Sequence, residues 1–310
     1  MRRLLSLLAL AFLVVACTGG ETKGAVSMTS PFVGGTQGLV IGFQDYRAEV
    51  FDGGQDPFNV IVKLENKGEA LVPKDNVRVR ITGINPVEFG KSEQLLTLLA
   101  PDDVIETRKT ETGVLSGPLV FTEFVGLNHA GRISGASAQF TLRADVCYLY
   151  RTQAVGKLCV RDNLLTPRAG GICEINENKP VYNSGAPVQI SDFKESARAK
   201  DKLGFTFDIK NVGVGSVFQR NTFCDRTNRQ SENRVYVIVQ SGLSGLSCTG
   251  LESGDIMAEG FVTLYGGSKT ISCTQAVSSR SDYEQVIGVE VVYDYEQTVQ
   301  NSLLVKNSGE

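Results

Sequence analysis

The chain has 310 residues and a formal net charge of −3, with acidic and basic side chains scattered along it. Nucleic-acid binding calls for a basic face, and the composition offers none. There is one histidine and no tryptophan, so imidazole-based metal sites are sharply limited and His129 is the sole histidine open to a catalytic triad.

Met1-Arg2-Arg3 forms a short basic head, and Leu4 to Val15 is an apolar run interrupted only by Ser6. As a helix these twelve residues would span about 18 Å, short of the roughly 30 Å of a bilayer core. Residues 1–16 therefore read as a secretory signal peptide. Val14-Val15-Ala16-Cys17 resembles the lipobox of prokaryotic lipoproteins. The resemblance implies cleavage before Cys17, lipid attachment to its thiol, and an extracytoplasmic protein anchored to the cell membrane or envelope. Residues 17–37 are rich in Gly, Ser and Thr without an apolar period, the composition of a flexible tether.

The remaining 294 residues suffice for two ordinary domains, and an internal repeat divides them. Residues 144–152 (ADVCYLYRT) match 289–297 (VEVVYDYEQ) at an offset of 145, so that Val146, Tyr148 and Tyr150 fall on Val291, Tyr293 and Tyr295. At the same offset Asn66 and Gly68 meet Asn211 and Gly213. The spacing predicts a first domain over 38–165, a linker over 166–182, a second domain over 183–306 and a tail over 307–310.

Within the repeats Val60, Val62 and Leu64 alternate with mostly polar residues, as do Phe205, Phe207 and Ile209. Val77, Val79 and Ile81, then Val235, Val237 and Val239, continue the pattern, which is that of half-buried strands. Asn-x-Gly after the second strand of each repeat predicts a turn with positive φ. The expected fold is all-β, two tandem sandwiches. A first strand like V-x-I-x-D-F, a second ending in N-x-G and a third of V-x-V resemble the CARDB-like and related immunoglobulin-like modules of surface proteins. That resemblance implies seven-stranded sandwiches with a structural, adhesive or spacer role, and brings no catalytic residues.

Six cysteines follow Cys17, an even number that suggests disulfides in an exported protein. If 144–160 is a hairpin, Cys147 faces Cys159, where the second repeat has Val292 and Leu304. Of the pairings left to the other four, Cys224–Cys248 with Cys173–Cys273 is preferred, because Cys224 lies in a loop, 219–232, enlarged in the second repeat. That loop carries Arg220, Arg226 and Arg229, a possible binding loop for carboxylates or sulfated sugars. Asp52-Gly-Gly-Gln-Asp56 lacks calcium-loop spacing and reads as a polar turn. Asp102-Asp103 reads as loop acids, and the paired tyrosines as core. No catalytic residue, metal site or cofactor motif is identified, and the protein is expected not to be an enzyme. Two functions are expected: a surface lipoprotein with a structural, adhesion or envelope-assembly role, or a binding lipoprotein recognising a glycan, peptide or ion through loops of the second domain. The membrane, other envelope proteins and a surface polymer are the expected partners.

Overall fold

A computed structural model describes residues 29–166 and 171–309. The expected signal peptide, Cys17 and the first part of the expected tether lie outside the described residues. The later tether residues pack onto the protein. The Glu69 carboxylate accepts hydrogen bonds from the backbone N–H groups of Val33 and Gly34, both at 2.8 Å, and of Gly185 at 2.7 Å.

The first repeat contains strands β1 (Leu39–Gln44), β2 (Glu49–Phe51), β3 (Phe58–Asn66), β4 (Val77–Thr82), β5 (Thr97–Leu99), β6 (Arg108–Thr110), β7 (Gly113–Leu115), β8 (Val120–Leu127) and β9 (Ser137–Val160). The second contains β10 (Tyr182–Asn183), β11 (Val188–Ala199), β12 (Lys202–Asn211), β13 (Ser216–Phe218), β14 (Arg234–Gln240), β15 (Leu246–Cys248), β16 (Glu252–Ser253), β17 (Met257–Thr263), β18 (Ser268–Ala276) and β19 (Tyr283–Lys306). The fold is all-β, with sheets in sandwich-like arrangement. Alternation in the sequence becomes alternation of burial: Val60, Val62 and Leu64 of β3 and Phe205, Phe207 and Ile209 of β12 are all in the core.

One small sheet per repeat, β1-β3-β8 in the first and β11-β12-β18-β15 in the second, covers part of a ten-stranded sheet whose main path is β16-β17-β14-β19-β9-β4-β5. At the centre of the large sheet β9 and β19 pair antiparallel along their whole lengths, from Ser137↔Lys306 to Val160↔Tyr283. Tyr148 pairs with Tyr295, Tyr150 with Tyr293, and Leu149 with Asp294 between them. Because counterparts are 145 residues apart, this ladder maps onto itself: an internal two-fold axis passes through Leu149 and Asp294.

The expected hairpin over 144–160 is therefore not formed. Cys147 and Cys159 lie twelve residues apart in one strand, about 40 Å at the rise of extended chain, and cannot pair. The disulfides are Cys147–Cys224, Cys159–Cys173 and Cys248–Cys273. The preferred Cys224–Cys248 and Cys173–Cys273 pairings are likewise replaced, because Cys248 stands directly opposite Cys273 across β15 and β18.

The long strands also bind the two repeats together. The far half of β9 lies against the second repeat, where Thr152 Oγ1 donates to the Val188 carbonyl at 2.6 Å and β10 pairs with Ala154 and Val155. The far half of β19 lies against the first, pairing with β2 and accepting from the Tyr46 hydroxyl at the Ser302 carbonyl. The boundaries expected at 165 and 183 thus separate two sequence units that share one sheet.

Four buried tyrosines surround the axis, with ring centroids 5.6–6.5 Å apart. The Tyr148 and Tyr293 hydroxyls accept from the N–H groups of Leu39 (3.1 Å) and Val188 (3.3 Å). The Tyr150 and Tyr295 hydroxyls donate to Oδ1 of Asn66 (3.1 Å) and Asn211 (3.4 Å). Asn-x-Gly is therefore a packing motif and not the expected positive-φ turn. Neither Asn66, Gly68, Asn211 nor Gly213 has positive φ. Glycine is required because a Cβ would collide with the Tyr150 hydroxyl at Gly68 and with the Tyr295 hydroxyl at Gly213.

Candidate functional site

The enlarged loop 219–232 folds back across the two-fold axis and is fastened there by three devices. The Asp294 carboxylate accepts from the N–H groups of Asn221 (3.0 Å), Thr222 (2.8 Å) and Phe223 (2.7 Å). Cys224 is bonded to Cys147 of β9. Arg226 Nε and Nη2 reach Glu296 Oε2 of β19 at 2.8 and 2.7 Å. Asn221, Phe223 and Cys224 take positive φ values of 64°, 51° and 55°, a conformation that costs a non-glycine residue about 1–2 kcal/mol. The amide groups that this conformation turns toward Asp294 offset that cost.

Fastening the loop closes a cleft of about 370 Å³ against the outer face of the large sheet. Its lining includes Arg78 and Arg80 of β4, Asp145 of β9, Glu296 of β19, and Phe223 and Arg226 of the loop. Cross-strand register builds the floor, with Arg80 opposite Asp145, and Arg78 opposite Cys147, which faces Glu296. Burial raises the carboxyls of Asp294 and Glu296 above the ordinary range; the loop amides oppose this at Asp294, and Arg226 opposes it at Glu296. Asp145 accepts from Thr298 Oγ1 at 2.6 Å and Thr82 Oγ1 at 3.0 Å, and stands 3.6 Å from Arg80.

The three loop arginines singled out in the sequence do not converge. Arg226 enters the cleft. Arg220 lies with its guanidinium carbon 3.6 Å from the centroid of the Tyr236 ring, on another part of the surface. Arg229 begins a short 3₁₀ turn, Arg229–Ser231, and is exposed. The structure instead supplies Arg78 and Arg80, which in the sequence are only the polar positions of an alternating strand. Alternation does put both on one face, but nothing local in the sequence places the distant loop over that face.

No protein-family model matches the sequence, and no curated protein matches it. Among solved structures, the chain is similar to the envelope protein VP37 from White Spot Syndrome Virus, at TM-score 0.26 and 7% identity over 47% of this chain and 97% of that one. It is similar to the secreted serine protease VesC from Vibrio cholerae, at TM-score 0.18 and 11% identity over 83% and 50%. It is similar also to a serine-rich repeat adhesion glycoprotein from Streptococcus agalactiae, at TM-score 0.18 and 9% identity over 88% and 99%. At these TM-scores the likeness carries no functional inference.

Among the remaining sequence candidates, His129, Asp52, Asp56 and Asp103 have structural partners. His129 is buried against Phe89 and Phe140, with Nδ1 2.8 Å from the Gly131 carbonyl oxygen. Asp52 accepts from the N–H groups of Ile133 and Ser308, each at 2.9 Å, and Asp56 from Arg47 and the Phe51 N–H. Asp103 accepts from the Lys74 N–H.

Proposed function

We propose that the protein is an exported, non-catalytic surface lipoprotein, anchored at Cys17, whose duplicated immunoglobulin-like sandwiches act as one rigid unit in adhesion or envelope assembly. The observation that carries this reading is the β9–β19 ladder, in which each long strand serves both repeats and Cys147–Cys224 ties the first repeat to a loop of the second. A continuous sheet transmits load across the axis without a hinge, which suits a module held at a surface. Three disulfides support an oxidising, extracytoplasmic compartment. The non-catalytic reading draws on the carboxylates in and beside the cleft, each of which has a structural role; Asp225 holds the Thr227 N–H and hydroxyl. Asp294 holds loop amides, Glu296 holds Arg226, and Asp145 holds two threonines.

Two measurements on the protein from its own cells test this reading. Mass spectrometry of the mature N-terminal peptide should find a lipid-modified Cys17. Affinity capture from detergent-solubilised membranes should recover a defined set of envelope proteins in constant proportion. An unmodified Cys17 removes the anchor, and a protein that elutes alone from its membranes removes the assembly role.

A further inference from the structure

The guanidinium groups around the cleft are unequally committed. Arg226 is held by Glu296. Arg78 has no hydrogen-bond acceptor or carboxylate partner among the described residues; its guanidinium carbon lies 4.2 Å from the Phe223 ring centroid. Arg80 has Asp145 at 3.6 Å and no hydrogen bond among the described residues, and its side chain is 47% exposed. Arg78 and Arg80 are two residues apart in β4, so they project from the same face of the sheet about 7 Å apart. The Phe223 ring supports the Arg78 guanidinium, whose N–H groups make no hydrogen bond among the described residues. Phe223 is itself held by Asp294 and by the neighbouring Cys224 disulfide. This is a preorganised donor array, and a planar fork of N–H groups matches a carboxylate or sulfate.

The rest of the lining narrows the ligand. Asp145, Glu296 and Asp225 balance the three arginines in formal charge, so the cleft is not a general anion trap. Thr222, Asp225 and Thr227 add oxygens at its rim. One acidic group among several hydroxyls meets both requirements: the acid meets Arg78 and Arg80, while carboxylate and threonine oxygens take the hydroxyls. We infer that the cleft is a binding site for an acidic saccharide, with Arg78 receiving the carboxylate or sulfate of the sugar. Nothing in this site depends on the lipid anchor, and an unanchored chain would bind equally well.

Titration calorimetry tests it on the full chain with its disulfides intact. The probes are a uronic-acid oligosaccharide, a sulfated oligosaccharide, a neutral oligosaccharide of similar length and an oligoglutamate peptide. At least one of the two acidic saccharides should bind, more weakly as salt is raised, and which one binds tells carboxylate from sulfate. R78A should weaken binding about tenfold or more, the usual scale for losing a charge-assisted hydrogen-bonded pair. R78K keeps the charge and loses the planar fork, so it should also weaken binding while leaving the near-ultraviolet circular dichroism unchanged, which keeps the test valid if R78A folds poorly. R220A, outside the cleft, should bind as the wild type does. Failure of both acidic saccharides to bind at millimolar concentration would overturn the inference. So would full affinity in both Arg78 variants, or equal binding of the neutral oligosaccharide or of oligoglutamate.

Discussion

At Gly68 and Gly213 any side chain would collide with a tyrosine hydroxyl. The motif that marks the repeat is thus a mark of its packing. G68A should destabilise the protein by about 1–3 kcal/mol, the usual cost of overpacking a closed site. Adding Y150F to G68A should not restore stability, because the backbone oxygens of Gly185 and Gln37 still crowd the new methyl and Asn66 loses its tyrosine donor; urea denaturation of G68A, Y150F and the double variant checks this. Glu195 offers a pH test. Its carboxylate accepts from the Cys159 N–H at 2.9 and 3.1 Å and lies 3.3 Å from Lys179 Nζ. Burial lifts its pKa to about 7, against the opposing pull of Lys179 and the Cys159 amide. The folded state therefore binds this proton more tightly than the unfolded chain does. The associated stability is fully present below the ordinary carboxyl range and is lost as pH rises through about 7. Unfolding measured at pH 5 and pH 8 should show a larger loss for the wild type than for E195Q, and an equal loss would contradict the assignment.

At the scale of elements, the clamped loop is the feature that distinguishes the second repeat. Removing Cys147–Cys224, whose partners are 77 residues apart, should cost about 4 kcal/mol on the loop-entropy scale. The C147S/C224S variant, unfolded in guanidinium, measures that cost. The same variant should become more sensitive to trypsin at Arg226 and Arg229, since only Asp294 and the Arg226–Glu296 pair would then hold a strained turn. Peptide mapping of the native protein should recover the three disulfides as described. Much of this level was legible in the sequence. Alternation located β3, β4, β12 and β14, and the offset of 145 found the duplication. The disulfide pattern was not legible, because it depended on whether 144–160 turned back on itself. Two apolar stretches separated by Arg151-Thr152-Gln153, with Gly156 shortly after, fit a hairpin or one long strand equally well. Pairing with β19 decides between them, and that partner lies more than a hundred residues away. The same distance hid the cleft: Arg78, Asp145, Phe223 and Glu296 are neighbours only after the two repeats have met.

At the scale of the whole molecule, the far half of each repeat's longest strand lies against the other repeat, the arrangement seen where two subunits of a symmetric dimer exchange arms. At the axis the two halves differ: a leucine stands on one side, and on the other an acid that organises the clamped loop. Each half is completed by the other, since Val188 and Glu195 of the second repeat bond to β9, and β2 and Tyr46 of the first bond to β19. The protein should accordingly unfold as one cooperative body. Hydrogen exchange followed by mass spectrometry across a urea series is the decisive measurement. Peptides from 144–158 and from 285–299 should lose protection together, at the same denaturant concentration as the strands of both small sheets. Release of one repeat's strands while the other repeat and the central ladder stay protected would contradict a shared, strand-exchanged core.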